Sequence, residues 1–282
     1  MILNPSHFIL TVPDMGRVGA LQENLGAREI FAQEVPVPPQ KKALLRHSYL
    51  RNRVKYLSFE GAHSCEVEVI EHAGPSRMVV PGNLFPIFAS PNPRTASADD
   101  GHWGHLVRAF QGLLGGEIKV VNSQGIVTFH CEEGNLQAGV SLVLHFVEDL
   151  DSKVRFYCRG FGFKELESPR ANRWRLLECK SKVSKRRFRL GLVKSRETET
   201  RELIRPHFLD DPGFTCLSFL VSGVERELKK IKGIECEVLS DPMEVHMNGK
   251  NLICAFVRDP EGQLIELFQF KDARELGGGL GA

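Results

Sequence analysis

The chain has 282 residues, of which 42% are hydrophobic and 26% are charged, with a formal net charge of +2. This composition is typical of a soluble globular protein of one or two domains, and the small net charge does not favour nucleic acid as a partner. The longest apolar runs, such as LICAFV at 252–257, are far shorter than the roughly 20 residues of a membrane-spanning helix. Seven cysteines without a C-x-x-C motif favour reduced thiols, as in the cytoplasm, and a mitochondrial location stays open.

The pattern of strands and helices divides the chain into repeated units. The first unit begins with HFILTVPDM at 7–15, passes a helix-like stretch to NLGAREIF at 24–31, and closes with CEVEVIE at 65–71. Side chains alternate between the two faces of a strand, so His7 lies on the face opposite to the apolar one. Residues 82–135 are expected to hold a second unit, whose beginning is rich in Pro, Ser and Ala.

Two further units follow in the second half of the chain. The third begins with LVLHFVEDL at 142–150, continues with VRFYCRGFGFKELE at 154–167, and closes with FRLGLVK at 188–194. The fourth begins with CLSFLVSGVERELKKIKG at 216–233 and closes with FVRDPEGQLIELFQF at 256–270. Each unit reads as a strand, a short amphipathic helix and about three more strands, which predicts an α+β fold.

The last strand of the fourth unit contains an unusual charge. Glu266 shares one strand face with Leu264, Phe268 and Phe270. A carboxylate on an apolar face is costly to bury unless something pairs with it. The sequence leaves three partners open, namely a metal ion, a basic side chain, or water.

Four βαβββ units with the motifs TVPDM…NLGAREI, FVEDLDSKVRFY…GFGFKEL and DPEGQLIEL resemble the vicinal oxygen chelate superfamily. This superfamily includes glyoxalase I, extradiol dioxygenases and bleomycin-resistance proteins. The resemblance implies units paired into two curved β-sheet half-barrels. We expect an N-terminal half at 1–137 with units one and two, a C-terminal half at 138–272 with units three and four, and a flexible tail at 273–282.

The resemblance also implies a chemistry. In this superfamily the first and last strands of a unit present metal ligands into a sheet-lined cavity, where one divalent metal holds two neighbouring oxygens of a small molecule. The metal then acts as a Lewis acid. The expected cofactor is therefore a single Zn, Ni, Fe or Mn ion, and the expected partner is a small-molecule ligand.

The family's ligand positions fall on specific residues of this chain. In units one and four they are His7, Glu68, Cys216 and Glu266. Glu66 shares the strand face of Glu68, so a slip of two residues would exchange them. Each candidate also has an interpretation that involves no metal. His7 would be a hydrogen-bonded histidine, Glu68 and Glu266 would face water or a basic side chain, and Cys216 would be a small buried thiol.

Unit three lacks ligands at the corresponding positions, which hold Leu142 and Gly191. A dioxygenase-type centre, which needs units three and four, is therefore excluded. Pairing of units one and four would bring all four candidates together, as in some single-chain glyoxalases with four units. The sequence alone does not decide which units pair.

Two functions are compatible with these residues. The favoured one is a glyoxalase-like protein with a degenerate metal site, acting as a small-molecule-binding or scaffold protein without robust glyoxalase activity. The alternative is a metal-dependent lyase or isomerase of glyoxalase I type with one site from units one and four, in which Glu266 is the best candidate for a catalytic residue. Enzyme status stays open, as does a protein partner or a homodimer.

Overall fold

The computed structural model describes residues 1–59, 66–72, 84–89, 107, 111, 118–123, 126–131, 140–166, 173–184, 186–195 and 206–272. The predicted tail at 273–282 and most of the helix predicted for unit two lie outside these residues. Within the described ranges, no helix has the length and apolar character needed to cross a membrane.

The elements follow the predicted order of strand, helix and strands. The strands are β1 (Ile2–Val12), β2 (Ala27–Pro36), β3 (Arg51–Phe59), β4 (Glu66–Glu71), β5 (Leu84–Ala89), β6 (Ile118–Ser123), β7 (Ile126–Cys131), β8 (Val140–Val147), β9 (Lys164–Leu166), β10 (Trp174–Lys180), β11 (Arg187–Lys194), β12 (Gly213–Val221), β13 (Glu237–Val238), β14 (Met243–Met247), β15 (Lys250–Arg258) and β16 (Leu264–Phe270). The α-helices are α1 (Val18–Leu25), α2 (Leu150–Phe161) and α3 (Val224–Ile231), and two 3₁₀ helices cover Met15–Arg17 and Pro39–Leu44.

The strands form two sheets, and each sheet joins two units. The first sheet has the order β13-β15-β16-β12-β1-β4-β3-β2, with β14 paired to β15, so it joins units one and four. The second sheet has the order β6-β7-β5-β8-β11-β10-β9 and joins units two and three. The predicted α+β fold with units paired into two sheets is confirmed. Each sheet takes strands from both predicted halves, 1–137 and 138–272.

Units one and three begin their helical segments in the same way. The side chains of Asp14 and Asp149 accept backbone N–H groups of the first helical turn, which would otherwise lack partners. Gly26 and Gly162 end the helices with positive φ angles of 62° and 73°, which glycine adopts without steric strain. These two matching pairs explain why the repeat is visible in the sequence.

Unit four caps its helix differently. Gly223 precedes α3 and has no side chain to accept a hydrogen bond. The backbone N–H of Val224 instead donates to Oε1 of Gln269 in β16 at 2.6 Å. The last strand of the unit therefore caps its own helix.

The main core lies between the two sheets. It contains apolar side chains from both sheets together with those of α2 and α3. Phe8 of the first sheet approaches Phe188 of the second with ring centroids 6.0 Å apart, and Phe161 packs on Phe219 at 4.7 Å. The helix-covered faces of the sheets thus pack together, which leaves the opposite face of the first sheet to line the cavity described below.

A buried ion pair ties units three and four together. Lys153 of α2 is fully buried and pairs with Asp259, while Oε2 of Glu261 lies 3.9 Å from its ammonium group. Asp259 also accepts the backbone N–H groups of Glu261 and Gln263, which shape the turn before β16. Glu261 in turn accepts backbone N–H groups just before α2. The turn that leads to Glu266 is therefore held by the helix of another unit.

His72 is a buried histidine whose ring nitrogens make no hydrogen bond within the described residues. Its ring packs against Tyr49 with centroids 4.5 Å apart. The pKa of His72 is lowered to about 4, chiefly by burial, with Asp210 opposing this change and Lys41 and His47 contributing to it. The imidazole is thus neutral at physiological pH.

We expect the free energy of unfolding to fall as the pH drops from about 6.5 to about 4. Over this window the unfolded chain protonates His72 while the native state does not, which destabilises the native state by up to roughly 3 kcal/mol. His72→Phe should flatten this pH dependence, measured by urea unfolding at several pH values. The matched control, His246→Asn at an exposed histidine, should keep the slope of the parent, and an equal slope for His72→Phe would contradict this account.

Lys153→Met should reduce the free energy of unfolding by roughly 3–5 kcal/mol, because Asp259 then stays buried without its cation. Urea unfolding at pH 7 measures the loss. Arg155→Met, at an exposed position of the same helix, is the control and should change stability by less than about 0.5 kcal/mol. Equal stabilities of the two variants would show that the ion pair does not stabilise the fold.

Candidate metal centre

Three of the predicted ligands meet in the first sheet. His7, Glu68 and Glu266 are all buried, and each offers a ligand atom that lies within 4.8 Å of the others. Nε2 of His7 is 3.1 Å from Oε2 of Glu68 and 3.4 Å from Oε2 of Glu266. The structure therefore brings together one nitrogen donor and two carboxylates from opposite ends of the chain.

The order of four neighbouring strands creates this cluster. The strands β16, β12, β1 and β4 lie side by side, so unit four supplies the first two and unit one the last two. His7 stands opposite Ser218 across the β1–β12 pair, and Ser218 in turn pairs with Glu266 in β16. On the other side, β4 places Glu68 beside Ile9.

Cys216, the fourth predicted ligand, is not part of the cluster that the described residues form. It lies opposite Ile9, and its Sγ donates a weak hydrogen bond to the carbonyl of Leu217 at 3.8 Å. Burial raises the pKa of the Cys216 thiol well above its usual value, which keeps it neutral. Cys216 therefore lies outside the group of three donors, and its role as a ligand stays a prediction.

Ser218, which the sequence interpretation missed, takes part in the site instead. Its Oγ donates a hydrogen bond to Oε2 of Glu266 at 2.5 Å, and the residue is fully buried. The available signal was alternation, since Ser218 shares the strand face of Cys216 and is a polar residue in a largely apolar strand.

The two neighbouring acids of β4 have different surroundings. Glu68 faces the cluster and is 4% exposed, whereas Glu66 is half-buried. Glu66 acts on Tyr56, whose pKa is raised first by burial and then by the charge of Glu66. The geometry thus favours Glu68 over Glu66 as the ligand.

The cluster is electrostatically coupled. Burial lowers the pKa of His7, but its polar contacts with Glu266 and Glu68 raise it by more, to about 9. Burial raises the pKa of Glu266, but His7, Lys41 and the hydroxyl of Ser218 lower it by more, to below its usual value. The Glu266 carboxylate is therefore ionised at neutral pH. Its partners are a histidine, a serine and a more distant lysine.

A small cavity opens onto these side chains. Its volume is about 20 Å³, which is room for one water molecule or one metal ion. It is lined by His7, Lys41, Glu68, Val245, Met247, Leu252, Cys254, Glu266 and Phe268. The polar donors thus stand on one side of a wall that is otherwise largely apolar.

The second sheet has no comparable donors at the corresponding positions. By strand pairing, Leu142 corresponds to His7 and stands opposite Ile87, while Gly191 lies beside Leu144 as Glu68 lies beside Ile9. Phe129, next to Ile87, corresponds to Glu266. Among the described residues, these four counterparts offer no side-chain metal ligand.

The chain is similar to known proteins both in sequence and in structure. Residues 139–267, less than half of the chain, match the family model described as Glyoxalase/Bleomycin resistance protein/Dioxygenase superfamily. The search of curated proteins found no match.

Among solved structures, the chain is similar to glyoxalase I from Zea mays, with 14% identity, a TM-score of 0.58, and coverage of 95% of this chain and 92% of that one. A variant of the same enzyme gives 13% identity, a TM-score of 0.59, and coverage of 95% and 93%. Identities this low show a shared fold only. The match to the family model is confined to residues 139–267, and the similarity to solved structures shows that the fold is shared along the rest of the chain.

Proposed function

We propose that His7, Glu68 and Glu266 bind one divalent metal ion, and that the protein is a metal-dependent lyase or isomerase of glyoxalase type. The observation that supports this proposal is the cluster itself, in which three donor atoms lie within 4.8 Å of one another beside a cavity. Two carboxylates are costly to bury side by side, and a divalent cation would offset that cost.

The donor set fits the expected metals. One imidazole nitrogen and two carboxylate oxygens suit Zn²⁺, Ni²⁺, Fe²⁺ or Mn²⁺. Three protein ligands with further positions left for water or substrate are typical of catalytic sites, whereas structural zinc sites are closed by four. The neutral Cys216 thiol outside the cluster fits this count of three.

The residues around the cluster support proton transfer next to a carbonyl group. A bound metal would hold two neighbouring oxygens of the substrate and withdraw electron density from them. Glu266 is ionised and can accept a proton, and Ser218 holds its carboxylate in place. The rings of Tyr56 and Phe268, each with its centroid 5.5 Å from that of His7, fix the imidazole and exclude water.

A second function is a small-molecule-binding or scaffold protein with a degenerate metal site. The observation that favours it is the absence of a fourth ligand in the described part of the chain, where Ser218 stands opposite His7. In that case His7 would serve as a protonated partner of the two carboxylates, in accordance with its raised pKa. Metal binding separates the two functions.

We expect about one metal ion per chain by elemental analysis after loading with Zn²⁺, Ni²⁺, Fe²⁺ or Mn²⁺. His7→Ala and Glu68→Gln should lose the metal, because each removes one of three ligands. Glu66→Gln, two residues away on the same strand, is the matched control and should keep it. A parent without stoichiometric metal under any loading would favour the scaffold function.

The metal-loaded protein should also exchange the hydrogen next to a carbonyl group with solvent deuterium. The substrates for this test are small α-hydroxycarbonyl compounds, both neutral and anionic, and proton NMR measures the loss of signal. A chelator and the Glu68→Gln variant should abolish the exchange, while Glu66→Gln should retain it. Metal binding without any exchange across the panel would contradict the enzymatic half of the proposal.

A further inference from the structure

Lys41 lies beside the candidate metal centre, in the 3₁₀ helix at Pro39–Leu44. The backbone of this segment is well anchored. The carbonyl of Leu44, which is fully buried, accepts the N–H of Leu209 at 2.8 Å, and Nε of Arg46 lies 2.6 Å from Oδ1 of Asp211. The loop just before β12, which contains Leu209 and Asp211, therefore holds the segment in place, and Lys41 is presented from a fixed backbone.

The ammonium group of Lys41 is turned toward the cavity. Its Nζ lies 5.4 Å from the centroid of the Phe256 ring, and the side chain lines the same cavity as the three donors. Lys41 forms no salt bridge with any residue that the structure describes. Its positive charge nevertheless acts on Glu266 and Glu68. The Lys41 ammonium group therefore contacts an aromatic ring and not a carboxylate, so it can still donate hydrogen bonds to the oxygens of an anionic ligand.

The charges around the cavity indicate the net charge that such a ligand would have. A divalent cation with neutral His7 and two carboxylates has no net charge, and Lys41 adds one positive charge. The remaining wall is largely apolar, with Val245, Met247, Leu252 and Phe268. In such poorly solvated surroundings an unbalanced charge is costly, so a ligand with one negative charge is favoured.

We propose that Lys41 determines specificity, and that the site takes small α-hydroxy or α-keto carboxylates, whose two neighbouring oxygens carry one negative charge. This inference rests on the proposed metal site and narrows its substrate class. The carboxylate would lie between the metal position and the Lys41 ammonium group. An apolar substituent would contact the wall of β14 and β15. Because the cavity has a volume of only about 20 Å³, the flexible side chain of Met247 would have to move to admit the ligand.

The test compares lactate with acetoin, its neutral analogue in which a methyl ketone replaces the carboxylate. Isothermal titration calorimetry measures the binding of both compounds to the metal-loaded full-length protein, and elemental analysis gives the metal content in parallel. The variant is Lys41→Met, which keeps the length of the side chain and removes its charge. The matched control is Lys42→Met, the exposed neighbour on the same 3₁₀ helix.

The parent and Lys42→Met should bind lactate at least about tenfold more tightly than acetoin, and Lys41→Met should lose this preference while keeping its metal. Lys41→Met should also bind the divalent metal about three- to tenfold more tightly, because a nearby positive charge is gone. A preference for lactate that survives in Lys41→Met, or a metal-loaded parent without any preference, would overturn this inference and leave the metal site intact. A parent without metal would overturn both.

Discussion

The pairing of β1 with β12 is the interaction on which the candidate site depends. These two strands meet in the middle of the first sheet and carry His7 and Ser218 opposite each other. Each then brings in the last strand of its own unit, with Glu68 on one side and Glu266 on the other. A chain that paired units one and two would not place these donors in one sheet. The long-range pairing, and no local motif, therefore creates the site.

The repeat could be predicted from the sequence because the spacing of Asp and Gly in the helical segments is a local pattern. Alternation along β16 singled out Glu266, whereas His7 and Glu68 were predicted from the ligand positions that the resemblance to the superfamily implies. Which units pair could not be predicted, because strand neighbours far apart in the chain leave no local signal. Lys41 was missed for the same reason, since its segment is fixed by Leu209, which lies far along the chain in the loop before β12. Ligation itself stays a prediction.

Two lysines of this protein, Lys153 and Lys41, have different surroundings and different consequences. Lys153 is fully buried and pairs with Asp259, so its charge is neutralised within the protein and serves to join two units. Lys41 is half-buried and acts on the site carboxylates without a salt bridge in the described part of the chain. A charge neutralised by a buried carboxylate stabilises the fold, whereas the Lys41 charge, which contacts the ring of Phe256, is the one that we propose to pair with an anionic ligand.

The two sheets show how one fold can hold two different interiors. At corresponding positions the first sheet has His7 and Glu266, and the second has Leu142 and Phe129. Apolar side chains at these positions stabilise the second sheet by burial, and they pack with Phe85 and Phe146 in one apolar cluster. The first sheet keeps buried charges that do not help packing and are costly without a partner. Because the second sheet has apolar residues at the corresponding positions, the fold does not require the charges of the first sheet, which is in accordance with the proposed cation site.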